Sequence, residues 1–256
     1  MTQACLGIAA IVGYLLAVRA YDRRFPHRRF SATRIACFIV GVASIAAVLL
    51  PPADALADRW FTAHMFQHLI LTLVGPPLVL LGAPLLLCVT LPPTWVARRI
   101  ARAVRVPAVH AVFSPVTAWL AFVATLWIAH FSPLYEAALQ NAWIHGFEHA
   151  LFAATAFLFW MAVVQIGYAP FPLAFPVRLF FLFFAIPSGA FLGLAIYAAQ
   201  RALYPHYFVG RSFAQGLLDQ HGGGAAMWIG GGLVFFTAFV VTAGVWASHE
   251  RGEVLA

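Results

Sequence analysis

Seven apolar runs, each about long enough to cross a lipid bilayer as a helix, divide this sequence of 256 residues. The hydrocarbon core of a bilayer is about 30 Å thick, so a helix needs about 20 apolar residues to cross it. The predicted spans cover approximately residues 3–20, 32–50, 61–90, 112–131, 142–166, 177–199 and 223–247. The predicted fold class is therefore all-α: a polytopic membrane protein, with a bundle of seven transmembrane helices formed by residues 1–256 as a single domain.

The composition excludes several classes of protein. Hydrophobic residues make up 63% of the chain and charged residues 9%, far from the composition of a soluble domain. All 15 basic residues are arginine, so a retinal Schiff base or a lysine nucleophile is excluded. The net charge of +7 does not indicate a nucleic-acid partner, because the arginines lie mainly in short connectors between apolar runs.

The arginines also predict how the bundle is oriented. If the runs alternate across the membrane, twelve arginines fall on one side, and only Arg59, Arg201 and Arg211 fall on the other. The twelve are Arg19, Arg23, Arg24, Arg28, Arg29, Arg34, Arg98, Arg99, Arg102, Arg105, Arg178 and Arg251. The positive-inside rule then places the N-terminus outside and the C-terminus in the cytoplasm.

The third run is too long for one straight crossing, and it contains Gly75-Pro76-Pro77 and Gly82-Ala83-Pro84. Proline removes a helical hydrogen bond and clashes with the preceding turn. We therefore expect the third span to be kinked at Gly75-Pro76-Pro77.

Two pairs of histidines begin spans three and five: His64 with His68, and His145 with His149. Residues at i and i+4 lie on the same face of a helix, one turn apart, which is a spacing that metal ligands use. His130 ends span four, and the predicted orientation places all five imidazoles in the outer half of the membrane. Because an ionisable group inside a span is costly unless it is paired or binds something, we expect both pairs to face one another in one metal site, with His130 close by.

Four further residues are candidates for additional or supporting roles. Glu148 adjoins His149 but points about 100° away around the helix, so it is expected to support the ligands or accept a proton. Asp219 and His221 precede span seven, and Met227 lies just inside it. Imidazole suits copper, zinc and iron, and a thioether adds a preference for Cu(I), so the expected metal is copper, as Cu(I) or Cu(II), ahead of zinc.

Two other functions remain open at this point. His145, Glu148 and His149 form an H-x-x-E-H pattern, which some zinc hydrolases use to bind the metal and activate water. Histidines on facing helices could instead bind haem, as in a b-type membrane cytochrome. A metal transporter is disfavoured, because few polar residues reach the inner half of the spans.

Three segments resemble the CtaG family of cytochrome c oxidase assembly factors, which is associated with caa3-type oxidases. They are HMFQHLILTLVGPPLVLLGAP, HFSPLYEAALQNAWIHGFEHALFAATAFLFW and DQHGGGAAMW, and they occur in family order. The similarity spans roughly residues 60–247, and the first two spans match only in hydropathy. The stretch His221-Gly222-Gly223-Gly224 is more glycine-rich than the family pattern, which leaves the role of His221 open.

The resemblance implies a multi-pass protein of the bacterial plasma (inner) membrane. It would be an assembly factor without enzymatic activity that delivers copper to the copper site of cytochrome c oxidase subunit I. The implied partners are subunit I, a periplasmic copper donor and the lipid bilayer, while the oligomeric state is left open. The positions that match family motifs are His64, His68, His130, His145, His149, Asp219, Gln220, Met227 and Trp228.

Overall fold

The computed structural model describes residues 2–104 and 106–252, and in these ranges it contains helices and no strand. The α-helices are α1 Thr2–Arg24, α2 Ala32–Val48, α3 Pro51–Arg59, α4 Phe61–Leu69, α5 Gly75–Leu81, α6 Pro84–Thr90, α7 Thr94–Val104, α8 Pro107–Val112, α9 Pro115–Phe131, α10 Leu134–Gln140, α11 Ala142–Val163, α12 Phe175–Ala198, α13 Phe213–Ala225 and α14 Gly232–Glu250. Two π-helical turns, Ile70–Val74 and Ala226–Gly231, and one 3-10 turn, Pro205–Phe208, complete the secondary structure described. Arg105, counted above, and residues 1 and 253–256 of the predicted domain lie outside the described ranges.

Five helices are long and apolar enough to cross a membrane: Gln3–Arg24, Phe61–Leu81, Ala142–Val163, Phe175–Ala198 and Phe213–Glu250. Two bent pairs pass the same test only when joined. They are α2 with α3, bent by 53°, and α9 with α10, bent by 69°. The chain is therefore a helical multi-pass membrane protein with five to seven spans, and the orientation of its termini stays a prediction.

The third span remains helical through the prolines at which a kink was expected. The carbonyl of Thr72 would accept from the N–H of residue 76 in an α-helix, or from that of residue 77 in a π-helix. Both residues are proline and have no N–H, so this carbonyl loses its usual partner. The indole N–H of Trp160 on α11 donates to that carbonyl instead, at 2.9 Å. The helix begins a π-helical turn at Ile70 and ends only at Leu81, after which Ala83 takes a left-handed conformation with φ 50°. The predicted span 61–90 is thus divided at Gly82-Ala83-Pro84.

The last helical span begins at Phe213, ten residues before the predicted start at 223. Ser212 and Gln215 form a capping box at its N-terminus, a signal that the apolar run alone does not contain. The glycine-rich stretch lies inside this helix, where it lets α13 pack closely. A Cβ on Gly224 would lie 2.5 Å from the backbone nitrogen of Tyr197 on α12, and a Cβ on Gly223 would overlap the ring of Phe61 on α4.

Three connectors meet at one end of the bundle. The backbone N–H of His206 donates to Glu136 at 3.4 Å, and the His206 ring lies 3.3 Å from the carbonyl of Asp58. We call this end, with residues 49–60, 132–141 and 199–212, the histidine end. At the opposite end, which we call the arginine end, Arg24 donates to the carbonyl of Leu91 at 3.0 Å.

Candidate metal centre

The two histidine pairs meet at the histidine end, between α4 and α11. The ring centroid of His64 lies 5.5 Å from that of His145 and 6.2 Å from that of His149. The ring centroid of His68 lies 5.6 Å from that of His149. The Nε2 atoms of His64 and His68 are 2.9 Å apart. The expected convergence of the two pairs is confirmed by these distances, whereas metal binding stays a prediction.

The N-terminus of α4, which positions His64, is held by a residue from α13. Trp60 at the N-cap has no side-chain oxygen, so the first N–H groups of α4 need another acceptor. Asp219 supplies it, accepting from the N–H of Phe61 at 2.8 Å and of Thr62 at 3.0 Å, and it also pairs with Arg211 at 3.2 Å. Asp219 therefore caps a helix, and it is not among the potential metal ligands that lie close together in the described residues.

Tyr207, in the connector before α13, fixes the orientation of His64. Its hydroxyl donates to the carbonyl of Ala57 at 3.1 Å and lies 2.9 Å from Nδ1 of His64. A phenol has one proton, so once Tyr207 donates to Ala57 it accepts from the Nδ1–H of His64. Nε2 of His64 then presents its lone pair to the cluster, which is the state that a metal ligand requires.

The tyrosines of this connector stay neutral. Burial raises the pKa of the Tyr207 phenol above its ordinary value, and burial also raises the pKa of Tyr204. A neutral phenol supports an imidazole by hydrogen bonding and does not compete for the metal as a phenolate would. Tyr207 is therefore a supporting residue that the sequence pattern gave no reason to select.

His130 is oriented in a similar way. Its Nδ1 lies 2.7 Å from the carbonyl of Leu126, which can only accept, so Nδ1 carries the proton and Nε2 the lone pair. The ring is 5.6 Å from that of His68, and Tyr204 donates to the His130 carbonyl at 3.2 Å. The structure thus places His130 beside the pairs, next to His68.

Several buried polar atoms of the cluster have no hydrogen-bond partner within the described residues. These atoms are His68 Nδ1, His130 Nε2, His145 Nε2, His149 Nε2, Glu148 Oε1 and Glu148 Oε2. Leaving a buried polar group without a partner costs about 1–3 kcal/mol each, and more for a charge. The side chains present therefore fit a bound cation, which would satisfy several of these atoms at once.

Glu148 lies nearer to the cluster than its place on α11 suggested. Ligand atoms of His64, His68 and Glu148 all lie within 4.8 Å of one another, as do those of His64, His145 and His149. The sequence predicts the direction of Glu148 only relative to the histidine pair on its own helix. The neighbouring α4 brings its histidines to the side of α11 that carries the carboxylate.

The remaining candidates divide between the cluster and the scaffold. Met227 lines a cavity of about 20 Å³ together with His68. His221 lies away from the other imidazoles, with Nε2 3.0 Å from the carbonyl of Ala199 and its ring 5.4 Å from that of Tyr197. Gln220 accepts from the N–H of Leu203 at 2.8 Å and so holds the connector that carries the tyrosines.

The sequence is similar to one protein family and to several curated proteins. The family model described as cytochrome c oxidase caa3 assembly factor (Caa3_CtaG) matches residues 12–249. Uncharacterized proteins of Mycobacterium bovis and Mycobacterium tuberculosis are each 26% identical over 259 residues, covering 96% of this chain and 38% of the relative. One of Mycobacterium leprae is 26% identical over 266 residues, covering 98% and 38%. The chain therefore spans 38% of the length of these curated relatives. No solved structure matches it.

Proposed function

The chain belongs to the cytochrome c oxidase caa3 assembly factor family, and from this membership we propose that it binds copper at the histidine end and delivers it to oxidase subunit I. The observation that carries the proposal is the group of four buried imidazoles, one partly exposed imidazole and one buried carboxylate whose ligand atoms largely lack protein partners. In the proposed orientation this end faces the periplasm, where a copper donor protein would load it.

The ligand set suits a carrier of copper. Imidazoles bind copper in both oxidation states, and no thiolate lies in the cluster to close the site around the ion. Hydrogen bonds to Tyr207 and to the Leu126 carbonyl orient two of the five rings in advance, which raises selectivity without adding ligands. The side chains bind and release the ion, and no covalent step is assigned to the protein.

The two alternatives fit this geometry less well. A hydrolase requires an accessible cleft beside its metal, whereas Glu148 is 1% exposed and His64 is 0% exposed. A haem would have to insert its macrocycle between α4 and α11, where the His64 and His149 rings are 6.2 Å apart.

The test is copper analysis of the purified protein and of two double variants, His64→Ala/His68→Ala and His145→Ala/His149→Ala. His27→Ala, at an exposed histidine of the arginine end, is the matched control. We expect copper in the wild type and the control and at least a tenfold loss in His64→Ala/His68→Ala, roughly the effect of losing ligand support. We expect a smaller loss in His145→Ala/His149→Ala, which keeps His64, His68 and Glu148. Unchanged copper in both double variants, or a haem spectrum in the purified protein, would refute the proposal.

A further inference from the structure

The cluster contains two sets of three potential ligands, and His64 belongs to both. One set is His64, His145 and His149, and the other is His64, His68 and Glu148. Within each set the ligand atoms lie within 4.8 Å of one another. Side-chain rotation alone can bring such atoms onto one ion, since bonds from a metal to nitrogen or oxygen are about 2.0–2.2 Å long.

His64 cannot serve both sets at once. Its Nδ1 lies 2.9 Å from the Tyr207 hydroxyl, which already donates to Ala57, so only Nε2 is free to bind a metal. An imidazole with one free nitrogen holds one ion. The two sets therefore describe alternative positions for the same ion and not a two-metal site.

The two positions differ in access and in charge. His145 is partly exposed, whereas His68 and Glu148 are each 1% exposed. We call the set with His145 and His149 the surface position and the set with His68 and Glu148 the buried position. The surface position contains imidazoles only, and the buried position adds a carboxylate that makes no hydrogen bond among the described residues.

Resting on the proposed function, we propose that a single copper ion moves between these positions by exchanging ligands around His64. His145 and His149 leave the ion as His68 and Glu148 join it, and His64 stays bound throughout. The exchange replaces the hydrogen bond between His64 Nε2 and His68 Nε2 by bonds to the ion, and a proton held by the Glu148 carboxyl is released to solvent as the carboxylate binds. No electron is transferred, so the oxidation state does not change. The negative charge of Glu148 attracts Cu(II) more strongly than Cu(I), so Cu(II) favours the buried position and Cu(I) the surface position.

The experiment compares Glu148→Gln, His145→Ala and His64→Ala with the wild type and with His27→Ala, each purified in detergent. Copper per chain, competition titrations with Cu(I) and Cu(II), and X-ray absorption and electron paramagnetic resonance spectra are measured. Glu148→Gln preserves the shape of the side chain and His145→Ala changes a partly exposed one, so both should fold, as circular dichroism will check.

We expect one copper per chain in every protein except His64→Ala, which should lose both positions. Glu148→Gln should weaken Cu(II) binding at least about tenfold and change Cu(I) binding less than about threefold, and His145→Ala should do the reverse. The Cu(II) spectrum of the wild type should contain an oxygen ligand that Glu148→Gln removes.

Two results would overturn the inference and leave the proposed function standing. Two coppers per chain in the wild type would mean that the sets are filled together. If Glu148→Gln and His145→Ala each lost affinity for Cu(I) and for Cu(II) equally, the ligands would form a single composite site. Absence of copper from the wild type would instead refute the proposed function, and the inference with it.

Discussion

Replacing Tyr207 by phenylalanine tests whether the connector before α13 prepares His64 for metal binding. The change removes one oxygen from a buried ring that packs 5.5 Å from Phe61 and leaves that packing intact. The oxygen lies 2.9 Å from Nδ1 of His64 and 3.1 Å from the Ala57 carbonyl, so both groups lose a partner. The imidazole is then free to take the other tautomer, with its proton on Nε2 facing the cluster.

The size of the effect follows from these contacts. An unpartnered buried group costs about 1–3 kcal/mol, and loss of a group that orients a metal-binding histidine usually weakens metal affinity about 10–100-fold. At about 1.4 kcal/mol for each factor of ten, the two estimates agree. We therefore expect copper affinity to fall about 10–100-fold in Tyr207→Phe.

The measurement is a competition titration of copper against a chromogenic chelator, with Tyr204→Phe as the matched control. Tyr204 is as deeply buried, but its hydroxyl donates to the backbone carbonyl of His130 at 3.2 Å, whereas the Tyr207 hydroxyl accepts from the ring of His64. We expect less than about a threefold change in the control, since loss of one ordinary hydrogen bond affects mainly stability. Equal losses in the two variants, or no loss in Tyr207→Phe, would refute the tautomer argument.

Two further substitutions test the scaffold around the cluster. Asp219→Asn should keep one copper per chain but lower stability by about 1.5–3 kcal/mol, because charged hydrogen bonds to the start of α4 are weakened. Thermal unfolding with elemental analysis checks this, and loss of copper at unchanged stability would make Asp219 a ligand. Gly224→Ala should destabilise the protein by about 1–3 kcal/mol, since its Cβ would lie 2.5 Å from the Tyr197 nitrogen. Gly232→Ala, with nothing within 4 Å of its Cβ, is the control and should leave the unfolding temperature unchanged.

The sequence predicts the ligand group because the relevant information is local. The i, i+4 spacing places both rings of each pair on one face of a helix, and both pairs lie close to helix starts. Depth in the membrane follows from the position along each span, so α4 and α11 needed only to be neighbours for the rings to meet. The large apolar fraction likewise predicts the helical class, because that class depends on composition and not on which helices pack against one another.

Long-range pairing is what the sequence could not supply. Asp219 was a candidate near the metal because it was expected just ahead of span seven, but that helix begins at Phe213 and the contact of Asp219 with Phe61 joins residues 158 positions apart. Tyr207 lies 143 positions from His64, in a connector without a recognised motif. A run of two tyrosines and a histidine in residues 204–207 was the available signal, and it becomes informative only when the connector is known to cover α4.

The prolines of Gly75-Pro76-Pro77 illustrate a different limit: the helix continues through them, and a kink there stays a prediction. Proline chemistry correctly identifies the carbonyl that loses its partner, that of Thr72. It does not reveal that Trp160 on another helix donates to this carbonyl at 2.9 Å. A neighbouring helix can thus replace the missing hydrogen bond, which is why prolines inside membrane spans do not always break them.

The π-helical turn at Ile70–Val74 lies between α5 and the two histidines His64 and His68, so the number of residues in it affects how the histidines are oriented relative to α5. A π-helical hydrogen bond joins residues five apart instead of four, so the turn holds one more residue than an α-helical turn. An α-helix rotates about 100° and rises about 1.5 Å per residue. Deleting a single residue from 70–74 would therefore restore an ordinary α-helical turn and keep α4 and α5 close to their present relative orientation. A deletion from α5, which holds no extra residue, would instead turn both imidazoles by about 100° relative to the residues that follow it.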